Sequence, residues 1–233
     1  MRRNLLKPLA LVAIAVLAVL AYTTISRTKP QRKDVPDNNR LRWYAAEAKA
    51  DGKQKEVIPA GITDYAGSDS PDLEKSLSIY SVVVARPIEK RTFESDGNSI
   101  KTWYKFSIVE ALTPLRDPVC FGCVTLSPPL EMPLDNNEFL MLQNGGTLTI
   151  DGVELEQHES GFPEFQEHQK YLLFLSLYPN KVAITAGGPL GVFEIGDKEN
   201  LTPFSKDPNP IRDGVKKKFN NSLGSLKQRL KSP

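Results

Sequence analysis

"EFLMLQNGGTLTIDGVELEQ", Glu138 to Gln157, decides how the chain folds. It carries two dipeptides, Asn144-Gly145 and Asp151-Gly152, of the kind that closes two-residue hairpins, because both central positions of such turns need positive φ. On that basis the stretch predicts three strands joined by two turns. The register around Asp151-Gly152 can be checked against itself. Ile150 faces Val153, Thr149 faces Glu154 and Leu148 faces Leu155, which gathers the apolar side chains on one side. Across Asn144-Gly145 the same logic sets Met141 against Leu148 and Phe139 against Ile150. Phe139-Leu140-Met141-Leu142 is apolar on both faces, as a central strand requires.

Working outward, "IYSVVVARPI" (Ile79 to Ile88) is rich in β-branched residues and reads as a strand. "IKTWYKFSIVEAL" (Ile100 to Leu112) alternates, with Tyr104, Phe106 and Ile108 on one face and Lys105 and Ser107 on the other. "ESDGNS" between them supplies a hairpin turn, and Asp72 to Ser78 reads as a short helix after Pro71. Downstream, "KYLLFLSLY" (Lys170 to Tyr178) is a strand buried on both sides, followed by strands in "KVAITAGG" and "LGVFEIGD". Val124-Thr125-Leu126 adds a further short strand. "AGGPLG" between the last two is a tight turn, since Pro189 blocks the helix that a phosphate cradle would need. About eight short strands with turn signals between them indicate an all-β barrel or sandwich.

The two ends differ from this body. Met1-Arg2-Arg3-Asn4 and Lys7 form a basic head before fourteen uncharged residues, Leu9 to Tyr22. Residues 1–25 therefore read as an export signal, either cleaved after Ala21 or kept as a membrane anchor, which places the body at the periplasmic or extracellular face. Residues 26–71 read as a polar stalk or linker punctuated by prolines. Within it, Asn39 to Lys49 is a helical patch carrying Leu41, Trp43, Tyr44 and Ala48, either docked on the body or part of the tether. The β domain spans 72–205. Residues 206–233 form a basic C-terminal helix whose stripe, Val215, Phe219, Leu223, Leu226 and Leu230, either packs on the barrel or lies on an anionic membrane.

The whole chain has 233 residues, 25% of them charged, and a net charge of only +2, so no overall basic field points to nucleic acid. Both cysteines, Cys120 and Cys123, sit in "CFGC". In an oxidising compartment the expectation is a disulfide closing a very small loop. A thiol-disulfide site is the alternative, although no helix pattern follows to lower a thiolate pKa. Zinc needs further ligands, and the two histidines, His158 and His168, are weak metal candidates within an acidic stretch. Motifs for hydrolysis and nucleotide binding are absent, which points away from an enzyme, and no cofactor is expected. Aromatics near loops, Phe93, Phe121, Phe162 and Phe165, are either contact residues or loop packing on the barrel.

The order "DLEKSLSIYSVVVARPI", "TWYKFSIVEAL", "GFPEFQEHQKYLLFL", "GGPLGVFEI" resembles exported bacterial proteins whose body is a five-stranded OB-type barrel, akin to the netrin and tissue-inhibitor-of-metalloproteinase modules. The resemblance covers Asp72 to Gly196. It implies a mainly β, OB-like antiparallel barrel, to which the residues themselves add an N-terminal hydrophobic export or anchor helix and a C-terminal amphipathic helix. The family pattern has a glycine shortly before the tyrosine; here Glu167-His168-Gln169 hold that place. The inhibitors reach a catalytic zinc with an N-terminal cysteine, and with cysteines only at 120 and 123 that route is not implied. The expectation is thus a non-catalytic binding module of the cell envelope, exported or membrane-anchored. Its partner would be an unidentified protein or envelope ligand, with membrane attachment through the N-terminal segment and, on one reading, the C-terminal helix. The rival is an envelope thiol-disulfide or metal-binding protein centred on CFGC.

Overall fold

The structure, a computed structural model, describes residues 38–59, 72–116, 129–159 and 161–231. The export segment 1–25, Cys120, Phe121, Cys123 and Val124 to Leu126 lie outside the described residues. Among the described residues no helix is long and apolar enough to cross a membrane.

Among the described residues nine strands form one sheet: β1 Lys55–Ile58, β2 Ser81–Ser95, β3 Ser99–Ala111, β4 Glu138–Ile150, β5 Val153–His158, β6 Tyr171–Leu177, β7 Ala183–Thr185, β8 Val192–Ile195 and β9 Leu201–Pro203. Their order is β1-β5-β4-β3-β2-β6-β8-β9, with β7 also paired to β6. The fold is mainly β, and the sheet curls into a half-barrel. Local devices support the curl. The β2/β3 register shifts at Val84/Ala85 and again at Pro87/Glu89, and such bulges bend a strand and raise its twist. Pro87, which has no N–H to donate, sits beside one of them.

The concave side holds an aromatic core of Tyr104, Phe106, Phe139, Phe162, Phe165 and Tyr171, with Met141, Leu173 and Leu175. Alternate residues of β6, Leu172 and Phe174, point the other way into a second core. That core is roofed by helices α2 Leu73–Ile79, α3 Pro210–Phe219 and α4 Leu223–Lys231. β6 is therefore buried on both faces, as its continuous apolar run requires. Helix α2 is capped by Asp72, whose side chain accepts from the Lys75 N–H at 2.8 Å.

Asp151-Gly152 does turn the chain, and the pairs Ile150 with Val153, Thr149 with Glu154 and Leu148 with Leu155 are those expected. Asn144-Gly145 does not. β4 runs unbroken through it, pairing with β3 up to Asn144 and with β5 from Gly145 onward. Met141 meets Tyr104, not Leu148, and Phe139 meets Phe106, not Ile150. The glycines serve close approach at this change of partner: a Cβ on Gly145 would lie 2.5 Å from the Gln157 carbonyl oxygen, and one on Gly146 would overlap Thr102 Oγ1. Their φ values, +99° and +132°, also suit glycine.

Residues 38–59 are not stalk. Helix α1, Arg40–Ala50, buries Leu41, Ala45 and Ala48 against Ile58, Ile100, Ile150, Val153 and Leu155. β1 then adds to the sheet parallel to β5. Burying each large aliphatic side chain here contributes about 1.5–3 kcal/mol, enough to hold so short an addition in place. The C-terminal region is likewise two helices, not one, because Asn220 and Asn221 both take left-handed backbone, at φ +49° and +54°. The expected stripe survives the break: Val215, Phe219, Leu223 and Leu226 are buried in the second core, with Leu230 packed on it. That apolar face packs in the core formed with the sheet.

Candidate functional site: the seam between β4 and β7

The rim of the half-barrel comes back on itself at one place. Leu140 and Val182 form an isolated parallel bridge, and the Leu140 N–H donates to the Lys181 carbonyl at 2.9 Å. Backbone groups alternate direction along a strand, so from Leu140 onward the even residues of β4 aim their N–H and C=O at the seam. Asn144 conforms, its N–H donating to Glu159 Oε2 at 3.2 Å. Leu142, between them, pairs with Trp103 of β3 and lines the space toward β7. On the opposite rim Val182 and Ala186 bond back to β6, through the Tyr178 N–H and the Phe174 carbonyl. The intervening odd residues, Ala183 and Thr185, therefore point their backbone at the seam as well.

Beside the bridge lies a cavity of about 260 Å³, lined by Met141, Leu142 and Asn144 on one rim and by Ala183, Ile184 and Thr185 on the other. Phe162, Glu159 and Gly188 also line it. Glu159 is only 5% exposed, and its Oε1 accepts from Asn144 Nδ2 at 3.1 Å. Among the described residues it is the one charged side chain on the wall. Nearby, Gln143 Nε2 donates to the carbonyls of Phe162 and Pro163 at 2.8 and 3.0 Å, pinning the loop that supplies Phe162. Gln143 Oε1 is buried without a hydrogen-bond partner. The wall thus offers backbone donors and acceptors, apolar side chains and one negative charge, a set suited to holding a ligand and lacking an evident nucleophile-base pair.

A second, more polar cleft of about 400 Å³ lies on the helix side, lined among others by Glu110, His168, Asp197, Glu199 and Lys227. Lys227 bridges Glu110 at 2.8 Å and Glu199 at 3.6 Å. Its ammonium is held above its ordinary pKa, first by the hydrogen bond to Glu110. These contacts tie α4 to the sheet and satisfy the charges locally.

Of the residues singled out by sequence, Phe162 and Phe165 are 6% and 2% exposed. Phe165 stacks on Phe204 at 4.7 Å and meets Tyr104, Phe106 and Tyr171 edge-on at 5.0–5.2 Å. Both rings pack into the aromatic core, and Phe162 also lines the seam cavity. Phe93 is half-buried against Trp103 and Met132. His158 lies at the end of β5 with Nε2 2.6 Å from Glu156 Oε1, while His168 lines the helix-side cleft. Among the described residues no three His, Cys, Asp or Glu side chains gather as metal ligands. The seam residues were missed because β4 and β7 meet through long-range pairing, and Asn144 carried the signature of a turn. Compared with known proteins, the chain matches no family model, no curated protein and no solved structure.

Proposed function

We propose that the chain is an exported or membrane-anchored, non-catalytic binding module of the cell envelope, built on an OB-like barrel, with the β4/β7 seam as its ligand cleft. The observation that carries this reading is the seam itself, two strand rims bridged at Leu140 and Val182 with a cavity lined by both beside the bridge. The circuit β4-β3-β2-β6-β7 and back to β4 agrees with a partly open five-stranded barrel. His168 lends further support: it takes left-handed backbone, φ +68°, within the Glu167-His168-Gln169 run that holds the place of the family glycine.

The rival reading is a thiol-disulfide protein working through Cys120 and Cys123. The two are separated by the reduction potential of that pair and the pH dependence of its thiol alkylation in the full chain. A bridge that stays closed at potentials below about −300 mV, with no thiolate titrating near neutrality once reduced, is expected of the binding module. A readily exchanged bridge with a thiolate at or below neutral pH would overturn it in favour of redox work.

A further inference from the structure

We infer that the two C-terminal helices, α3 and α4, are a footing on anionic lipid headgroups, held by their lysines and arginine without insertion of the apolar stripe. The inference takes up the membrane attachment proposed above and is independent of the seam. A net charge of +2 for the whole chain hides a segregation. Residues 38–205 carry fifteen Lys and Arg against twenty-four Asp and Glu, a net of −9. Residues 1–37 hold seven against two and residues 206–231 hold eight against two, so +5 and +6 lie at the two ends. Charge that serves solubility alone is interspersed by sign, whereas a block of one sign on a body of the other sets up a directed field.

The C-terminal cations divide into two groups. Lys218 pairs with Glu74, Lys227 with Glu110 and Glu199, and Arg212 with Asp213. Lys206, Lys216, Lys217, Arg229 and Lys231 are exposed or nearly so and, among the described residues, belong to no ion pair. The last four stand in the final turns of α3 and α4, where the helix macrodipole favours cations and so tolerates their crowding. Both helices turn their apolar stripes into one core, which leaves these cations on the outer side of the roof. An anionic bilayer offers each of them about fivefold in partitioning and repels the acidic barrel. Met141 and Phe162 of the seam belong to the core on the other face of β6, so the footing turns the seam away from the lipid.

The test is acetylation footprinting of the full chain, read lysine by lysine by mass spectrometry. The chain is placed on lipid discs of phosphatidylcholine alone, on discs containing phosphatidylglycerol, and in soluble polyphosphate. Lys49 and Lys90, exposed on the body, are the internal references. Lys216, Lys217 and Lys231 are expected to react roughly fivefold or more slowly on the anionic discs than on the neutral ones, with Lys49 and Lys90 unchanged. About 1 M salt, where the screening length is about 3 Å, is expected to remove the difference. Lys206→Gln, Lys217→Gln and Arg229→Gln together are expected to return Lys216 and Lys231 to within about twofold of their rates on neutral discs. Equal rates on the two kinds of disc overturn the inference. Slowing that survives the salt assigns the contact to insertion of the apolar stripe, and equal slowing of Lys49 and Lys90 assigns it to no particular face; both overturn it. Stronger slowing by polyphosphate at equal phosphate overturns it in favour of a soluble anionic polymer. Retention of the chain on neutral discs reports the N-terminal anchor separately, so the footing can fail while the proposed attachment stands.

Discussion

Asn144-Gly145 and Asp151-Gly152 are the same kind of dipeptide seven residues apart, yet one runs straight through a strand and the other reverses it. At Asp151-Gly152 nothing lies within 4 Å of where a Gly152 Cβ would be, and both residues have positive φ, so the turn follows from local preference alone. At Gly145 and Gly146 the surroundings decide. Thr102 Oγ1 donates to the Gly145 carbonyl at 2.7 Å and sits 3.0 Å from Thr92 Oγ1, while the Gln157 carbonyl crowds Gly145 from the other side. Gln157 also accepts from the buried Ile100 N–H at 2.7 Å through Oε1, fixing β5 beside the corner. A turn signal is thus an offer of positive φ, and packing determines whether the chain bends there or two strands draw close.

The sharpest way to break this contrast is to add side chains at the two glycines. Gly146→Val drives its Cβ into Thr102 Oγ1 at a φ that valine avoids, and a loss of roughly 2–5 kcal/mol is expected from strain and overpacking together. Urea titration by circular dichroism measures it; a loss below about 1 kcal/mol would mean that the corner is not crowded. Gly152→Ala meets no neighbour and suffers only its positive φ, so about 1 kcal/mol is expected in the same titration. If the two substitutions cost the same, the difference drawn between the sites is lost.

These contrasts mark what was legible. Alternation along β3, the double-sided run of β6 and the Asp151-Gly152 register could be read because each depends on neighbours in sequence. The apolar stripe from Val215 to Leu226 was equally readable, although the break at Asn220-Asn221 was not, since it leaves the 3.6-residue spacing nearly intact. β1 and β9 escaped detection because four- and three-residue strands carry no usable period, and their pairing depends on partners far away in the chain. Docking of α1 turned on Leu41 and Ala48 finding Ile100 and Leu155, which no local pattern announces. The seam was the least legible feature, because it depends on a register between residues 140 and 182 and on what the rims leave unpaired beyond it.

The smallest effect refines the same lesson about positive φ. His168 adopts φ +68° with no turn dipeptide around it. His168→Gly relieves that conformation while freeing the unfolded chain, and the balance is expected to fall within about 1 kcal/mol of zero, on the stabilising side. A loss above about 2 kcal/mol by thermal denaturation would show that the imidazole holds the loop before β6 through its own contacts.

The seam is tested most directly by amide hydrogen exchange in the full chain without added ligand, comparing Leu140 with Leu142. Leu140, bonded to Lys181, is expected to exchange slowly with the surrounding sheet, whereas Leu142, facing the cavity from the same strand edge, is expected to exchange orders of magnitude faster. Equal protection at the two positions would mean that β4 and β7 are zipped past their bridge, and would contradict an open ligand cleft between them.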